Sequence, residues 1–192
     1  MNAIRLSTYI IILGAIALGA GCMTAVFAHV IPMLVDRGVQ MNDAVAVLVT
    51  FSLVTAVWQV GMGLLLDRLP KPWIAAPFYM LALAGLWLME TSSSFAWLIS
   101  AGFLMGLGLG TEYGVLPYFL SRYFGVRHYG AISGFVYGVI ILIQGVTPFL
   151  MDVNFDLRGN YDIAVLIIST ALVLGAALLT RLPPFRAWPA VT

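Results

Sequence analysis

Gly63-Leu64-Leu65-Leu66-Asp67-Arg68-Leu69-Pro70-Lys71 reads as a short charged turn between two long apolar runs. Ala44 to Leu66 precedes it without a charge, and Pro72 to Met89 follows it without one. A helix needs about 20 apolar residues to cross a hydrocarbon core of about 30 Å. A charged turn this short between two runs of that length belongs at a bilayer surface, and its charge reports which surface.

The rest of the chain repeats this pattern. Of 192 residues, 62% are hydrophobic and 9% charged, and the mean hydropathy is +1.03. A soluble domain carries about 25% charged residues, so this surface must face lipid. The formal net charge of +1 gives no reason to expect a nucleic-acid partner. Six segments reach spanning length: about 7–35, 44–66, 72–90, 95–120, 129–151 and 162–180. The breaks hold nearly all the charge: Asp36 to Asp43, Asp67 to Lys71, Glu90 to Ser94, Ser121 to His128, and Asp152 to Asp162. They are short, so consecutive helices run antiparallel within one transmembrane domain, 1–192, with no linker or soluble domain. Arg5 followed by Tyr9 to Leu18 resembles a secretory signal, and Leu18 to Cys22 a lipoprotein site. The apolar run continues to Val35, however, which is too long for a signal, and the leucine sits one position too far from the cysteine. The expectation is an uncleaved first span.

Charge sets the orientation. With six spans both termini share one face, and with them fall seven of the nine cations: Arg5, Arg68, Lys71, Arg122, Arg127, Arg181 and Arg186. Arg37 and Arg158 fall opposite. The positive-inside rule then predicts an integral protein of the plasma (inner) membrane, with both termini and the Asp67 turn in the cytoplasm.

Glycine spacing predicts close helix contacts. Gly102, Gly106, Gly110 and Gly114 recur every four residues on the fourth helix, and Gly130, Gly134 and Gly138 on the fifth. Such a step aligns small residues on one face, where another backbone can approach, and the same faces could slide in a conformational change.

Few residues could carry chemistry. Glu112 is the only acid well inside a span, where an ionisable group costs about 2.5–3.5 kcal/mol on insertion scales and by default marks a functional site. It is a candidate for binding substrate or a proton; the plainer reading is a structural carboxyl bonded to Thr111, Tyr113 or a neighbouring helix. His29, about two turns before the outer end of the first helix, is the second candidate, since histidine titrates near physiological pH; it could equally be a packed or interfacial residue. Gln59, Gln144, Tyr113, Trp58 and Tyr137 are further polar or aromatic groups at depth. Pro32, Pro117 and Pro148 fall within spans and each removes a backbone donor. No HExxH, GxSxG or phosphate-loop motif is present, and Gly106 to Gly110 follows no strand, so no enzyme is expected. Lone Cys22 offers neither an internal disulfide nor metal-site spacing; no metal or cofactor is expected.

The opening turn resembles the signature between the second and third helices of each half of a major facilitator superfamily transporter. Gly63, Asp67, Arg68 and Lys71 match it, while Leu69-Pro70 lacks its second glycine and one basic residue. Phe27 to Leu34 with Asp36-Arg37-Gly38 is similar to the end of that superfamily's seventh helix. Glu112 to Tyr118 with Ser121-Arg122-Tyr123-Phe124-Gly125 is similar to the tenth and its loop. His128 to Gly134, then Gly145 and Pro148, is similar to the eleventh, and Gly159-Asn160-Tyr161 to the turn before the twelfth. The nearest branch is that of oxalate/formate antiporters and monocarboxylate transporters.

The resemblance implies an all-α fold with six transmembrane helices forming one lobe, a 3+3 inverted repeat. It implies transport of a small, anionic, carboxylate-like solute by alternating access against a second six-helix lobe, with a coupled proton as a further ligand. That lobe would be another copy of the chain or a separate amino-terminal half. It also implies that Asp67 braces the cytoplasmic start of the fifth helix near residues 128–134, where a helix N-terminus favours an acid; the plainer role of the turn is topological. The competing reading is a non-transporting structural or regulatory membrane protein, or a truncated remnant of such a transporter.

Overall fold

The computed structural model describes residues 3–127 and 129–185; for Ala3 to Arg5 it describes the backbone only. The sequence-assigned roles of the Arg5, His128 and Arg186 side chains therefore lie outside the described residues.

The described chain is all helix: α1 Ala3–Asp36, α2 Met41–Arg68, α3 Ala76–Thr91 preceded by a 3₁₀ turn Pro72–Ala75, α4 Phe95–Phe124, α5 Tyr129–Arg158 and α6 Asp162–Thr180. Six segments are long and apolar enough to cross a membrane, as the apolar runs predicted, and the protein is an integral membrane protein. Most helices outrun the apolar segments. Asp67 and Arg68 lie in the last turn of α2, not in a loop, and Asp152 to Arg158 continue α5. Charged residues tolerate helix, so backbone chemistry sets the ends. Leu69 precedes Pro70, whose ring disfavours helical geometry in the residue before it, and Leu69 leaves the helix at φ −126°, ψ 80°. Gly125 after α4 and Gly159 after α5 take φ of +77° and +71°, a region open chiefly to glycine.

Packing follows a definite order. α2 lies along α4, α3 against α4 and α6, and α1 against α5, α6, α4 and α2; α4 and α5 touch more briefly. The α2–α4 pair is set by the first glycine series. A Cβ on Gly102, Gly106, Gly110 or Gly114 would stand 2.7–2.8 Å from the carbonyl oxygens of Val47, Phe51, Thr55 and Gln59 respectively. Each four-residue step on α4 meets a four-residue step on α2 in the same direction, so the two helices run parallel and nearly in backbone contact. Only hydrogen side chains permit that approach. The second series behaves differently: a Cβ on Gly130, Gly134 or Gly138 would meet nothing within 4 Å. The glycine-bearing face of α5 points away from the rest of the described chain, while Ser133, Val136 and Ile140 of the same stretch are buried.

Arg37 fastens the turn after α1 by donating to the carbonyl oxygens of Met89 and Ser92 at the end of α3. On the opposite side, Tyr118 donates to the Leu66 carbonyl at 3.0 Å. There Phe185 packs among the rings of Tyr118, Phe119 and Tyr123, bringing the chain after α6 back to α4.

Candidate functional site

Glu112 sits on the α4 face that carries Gly108 rather than the one carrying the α2 ladder. It is 2% exposed. It points at α1 and α3, where the absent side chain of Gly19 leaves its space: a Cβ on Gly19 would collide with Glu112 Oε1 and with the Tyr79 hydroxyl. Tyr79, fully buried on α3, donates to the Ala15 carbonyl of α1 at a long 3.4 Å and lies beside the carboxyl. Neither carboxyl oxygen has a hydrogen-bond partner in good geometry. Thr111 does not supply one. Its hydroxyl donates to Leu107 (2.7 Å) and accepts from the Trp58 indole (2.9 Å). Tyr113, next along, turns outward and is 43% exposed. A carboxyl sealed in a helix bundle with unsatisfied oxygens is expensive. It is a buried acid beside a phenol, and it cannot reach a solute outside the bundle without movement of α1 or α4.

His29 is also buried, at the opposite end of α1 from residue 3. Its Nδ1 lies 2.8 Å from the Ala25 carbonyl and its Nε2 lies 2.7 Å from Asp152 Oδ1 on α5. Tyr161 meets its ring edge-on at 6.0 Å and stacks on Phe155. Asp36, Asp152 and Asp156 gather around Tyr161; burial and these carboxylates raise its phenol above the usual range. Sequence reasoning selected His29 and passed over Asp152, which read as a loop acid because it follows the apolar run.

The other candidates scatter. Gln59 on α2 is exposed and its backbone flanks Gly110 and Gly114. Gln144 on α5 is half-buried, with an amide nitrogen lacking a partner. Tyr137 is 36% exposed. Glu112 and His29 belong to separate clusters, and no described contact joins them. Among the described residues no hydrogen bond or ion pair links Asp67 to Tyr129–Gly134, and α2 and α5 share no extended packing. Lys71 lies over the Trp73 ring at 5.9 Å. No group of three or more potential metal ligands occurs among the described residues.

Compared with known protein families and with curated proteins, the sequence gives no significant match. The superfamily resemblance therefore stands on the short stretches quoted above.

Proposed function

We propose that this protein is one lobe of a secondary transporter of the major facilitator type, moving a small anionic solute by rocking against a second six-helix lobe. The packing order is the observation that carries this reading. Exchanging α1 with α4, α2 with α5 and α3 with α6 turns α2–α4 into α5–α1, α3–α4 into α6–α1 and α1–α2 into α4–α5. It returns α1–α4 and α3–α6 to themselves. Two three-helix units related in this way are what an inverted repeat produces. The same exchange pairs the two least covered helices. Only 22% of the most apolar stretch of α2 and 17% of that of α5 is buried, against 44–56% elsewhere. Both helices are free to meet another lobe, and Gln59, Tyr113 and Tyr137 give the uncovered surface polar groups suited to a wall of a solute path.

In this reading Glu112 carries a coupled proton inside the lobe. The carboxylate character of the solute follows from the branch resemblance alone, and a cation to bind it would come from the partner lobe. The cation asymmetry supports cytoplasmic termini in the inner membrane.

Reconstituting the chain, alone and with a candidate first lobe, and measuring uptake of labelled mono- and dicarboxylates tests the proposal. Uptake that requires the second lobe and falls in Glu112→Gln is expected. No uptake in either arrangement favours the structural or regulatory reading, and uptake indifferent to Glu112→Gln removes the role given to that residue.

A further inference from the structure

We propose that the seam between α3 and α6 binds one anionic phospholipid, its headgroup held by Lys71 and Arg181 and an acyl chain lying in the groove that begins beside them. The shape of the seam comes first. Positions 73, 76, 77 and 80 of the α3 segment and 173, 176, 177 and 180 of α6 line a groove of about 370 Å³. Each set has the spacing of one helix face. Ala76 and Ala176, each 6% exposed, form the floor, while Trp73, Met80 and Val173, 44–50% exposed, form the rims. Under the floor the helices are in close contact: a Cβ on Gly175 would stand 2.9 Å from the Tyr79 ring. Small residues between large ones leave a slot, and seven residues of α6 give it a length of about 10 Å. Beyond Met80 the seam is tied shut by Trp87, whose indole donates to Ser169 at 3.1 Å.

The lining suits hydrocarbon. Apart from the Trp73 indole its only hydroxyl is that of Thr180, which donates to the Ala177 carbonyl of its own helix at 2.7 Å. A polar solute would lose its hydration there without replacement. Charge sits at one end only. The Lys71 ammonium lies over the Trp73 ring at 5.9 Å, and exposed Arg181 directly follows Thr180. The 3₁₀ turn that follows Lys71 packs against α6. Among the described residues no carboxylate forms an ion pair with Lys71 or Arg181, and Asp67 is the only acid in the turns at that end.

An apolar slot headed by two such cations and a tryptophan complements an anionic head on a hydrocarbon tail. Basic pockets between spanning helices hold anionic headgroups, and tryptophan favours that depth. A second copy is the poorer occupant. A two-fold axis along the bilayer normal would set its Lys71 and Arg181 against these. This inference is independent of the transport reading.

Brominated lipids, which quench tryptophan on contact, test it on the full chain in phosphatidylcholine vesicles. The vesicles carry a small fraction of lipid brominated on its acyl chains, either phosphatidylglycerol or phosphatidylcholine. The residue 73 signal is the difference between the chain and Trp73→Phe. Brominated phosphatidylglycerol should quench it at lower content than brominated phosphatidylcholine, by about fivefold for each cation. Lys71→Gln and Arg181→Gln should each remove about fivefold of that preference. Ala177→Phe, at an exposed position of the lining, should reduce it by filling the slot with both cations kept. Arg127→Gln, in the α4–α5 turn, should leave it unchanged. Equal quenching by the two lipids, or a Trp73 shielded from both by a second copy, overturns the proposal. So does a preference that survives Ala177→Phe, or one that Arg127→Gln lowers as much as Lys71→Gln, since diffuse attraction then explains it.

Discussion

Gly19 of α1 and the Glu112 carboxylate of α4 face each other with no room for a methyl group between them: a Cβ at residue 19 would overlap Glu112 Oε1 and the ring and hydroxyl of Tyr79. Gly19→Ala should therefore destabilise the protein by about 1–3 kcal/mol, the usual effect of overpacking. Glu112→Ala removes the closer of the two obstacles and leaves Tyr79, so the double variant should regain part of the loss. Thermal unfolding of the four proteins in one detergent closes the cycle. Simple additivity would mean that the two residues do not share this space.

Glu112→Met reads what the carboxyl does at rest. Methionine has similar length and leaves no unsatisfied oxygen, and replacing a buried unpaired polar group by an apolar one of like shape is neutral or stabilising. The thermal midpoint should hold or rise, by the equivalent of about 1 kcal/mol. A clear fall would show that Glu112 holds the helices together, as the structural reading of the sequence has it.

The two glycine series should respond in opposite ways. Gly106→Ala puts a Cβ 2.7–2.8 Å from Val54 and the Phe51 carbonyl, which α2 can relieve only by moving off. Yield of folded monomer should drop. Gly134→Ala meets nothing within 4 Å and should be neutral in the isolated chain, or stabilising by about 0.5–1 kcal/mol from helix propensity. If Gly134→Ala instead abolishes association with a second lobe while leaving the monomer folded, its open face is an inter-lobe contact. Size-exclusion chromatography with and without that lobe separates these outcomes.

Arg37→Met should loosen the turn after α1. The guanidinium caps the carboxyl end of α3 through the Met89 and Ser92 carbonyls, where a cation also meets the negative end of the helix dipole. Its exposure keeps the effect near about 1 kcal/mol. Faster proteolysis at residues 91–95, with the global midpoint little changed, is the expected signature.

Part of this behaviour is legible along the chain. The α4 ladder appears as a four-residue glycine period, and Glu112 stands out as the one acid deep inside a span. The period alone does not separate Gly102 to Gly114, pressed on α2, from Gly130 to Gly138, facing outward, because spacing places residues on one face without saying what that face meets. Helix ends were misread by up to two turns at α5, since charge falls where the bilayer ends while the backbone stays helical until Gly159 breaks it.

The sequence by itself determined that six helices of spanning length exist, because run length against bilayer thickness is a local property of the chain. It also singled out Glu112 and His29, which the fold buries, together with Gln59, Tyr113 and Tyr137, which it leaves exposed. The tertiary structure alone decided the rotation of each helix. It set Glu112 against Gly19 and Tyr79 rather than the uncovered surface, and brought His29 to Asp152, 123 residues away. In a soluble helix an apolar stripe announces the inward face. Here lipid and bundle interior are equally apolar, so no stripe forms, and only close packing and the pairing of rare polar groups choose the side.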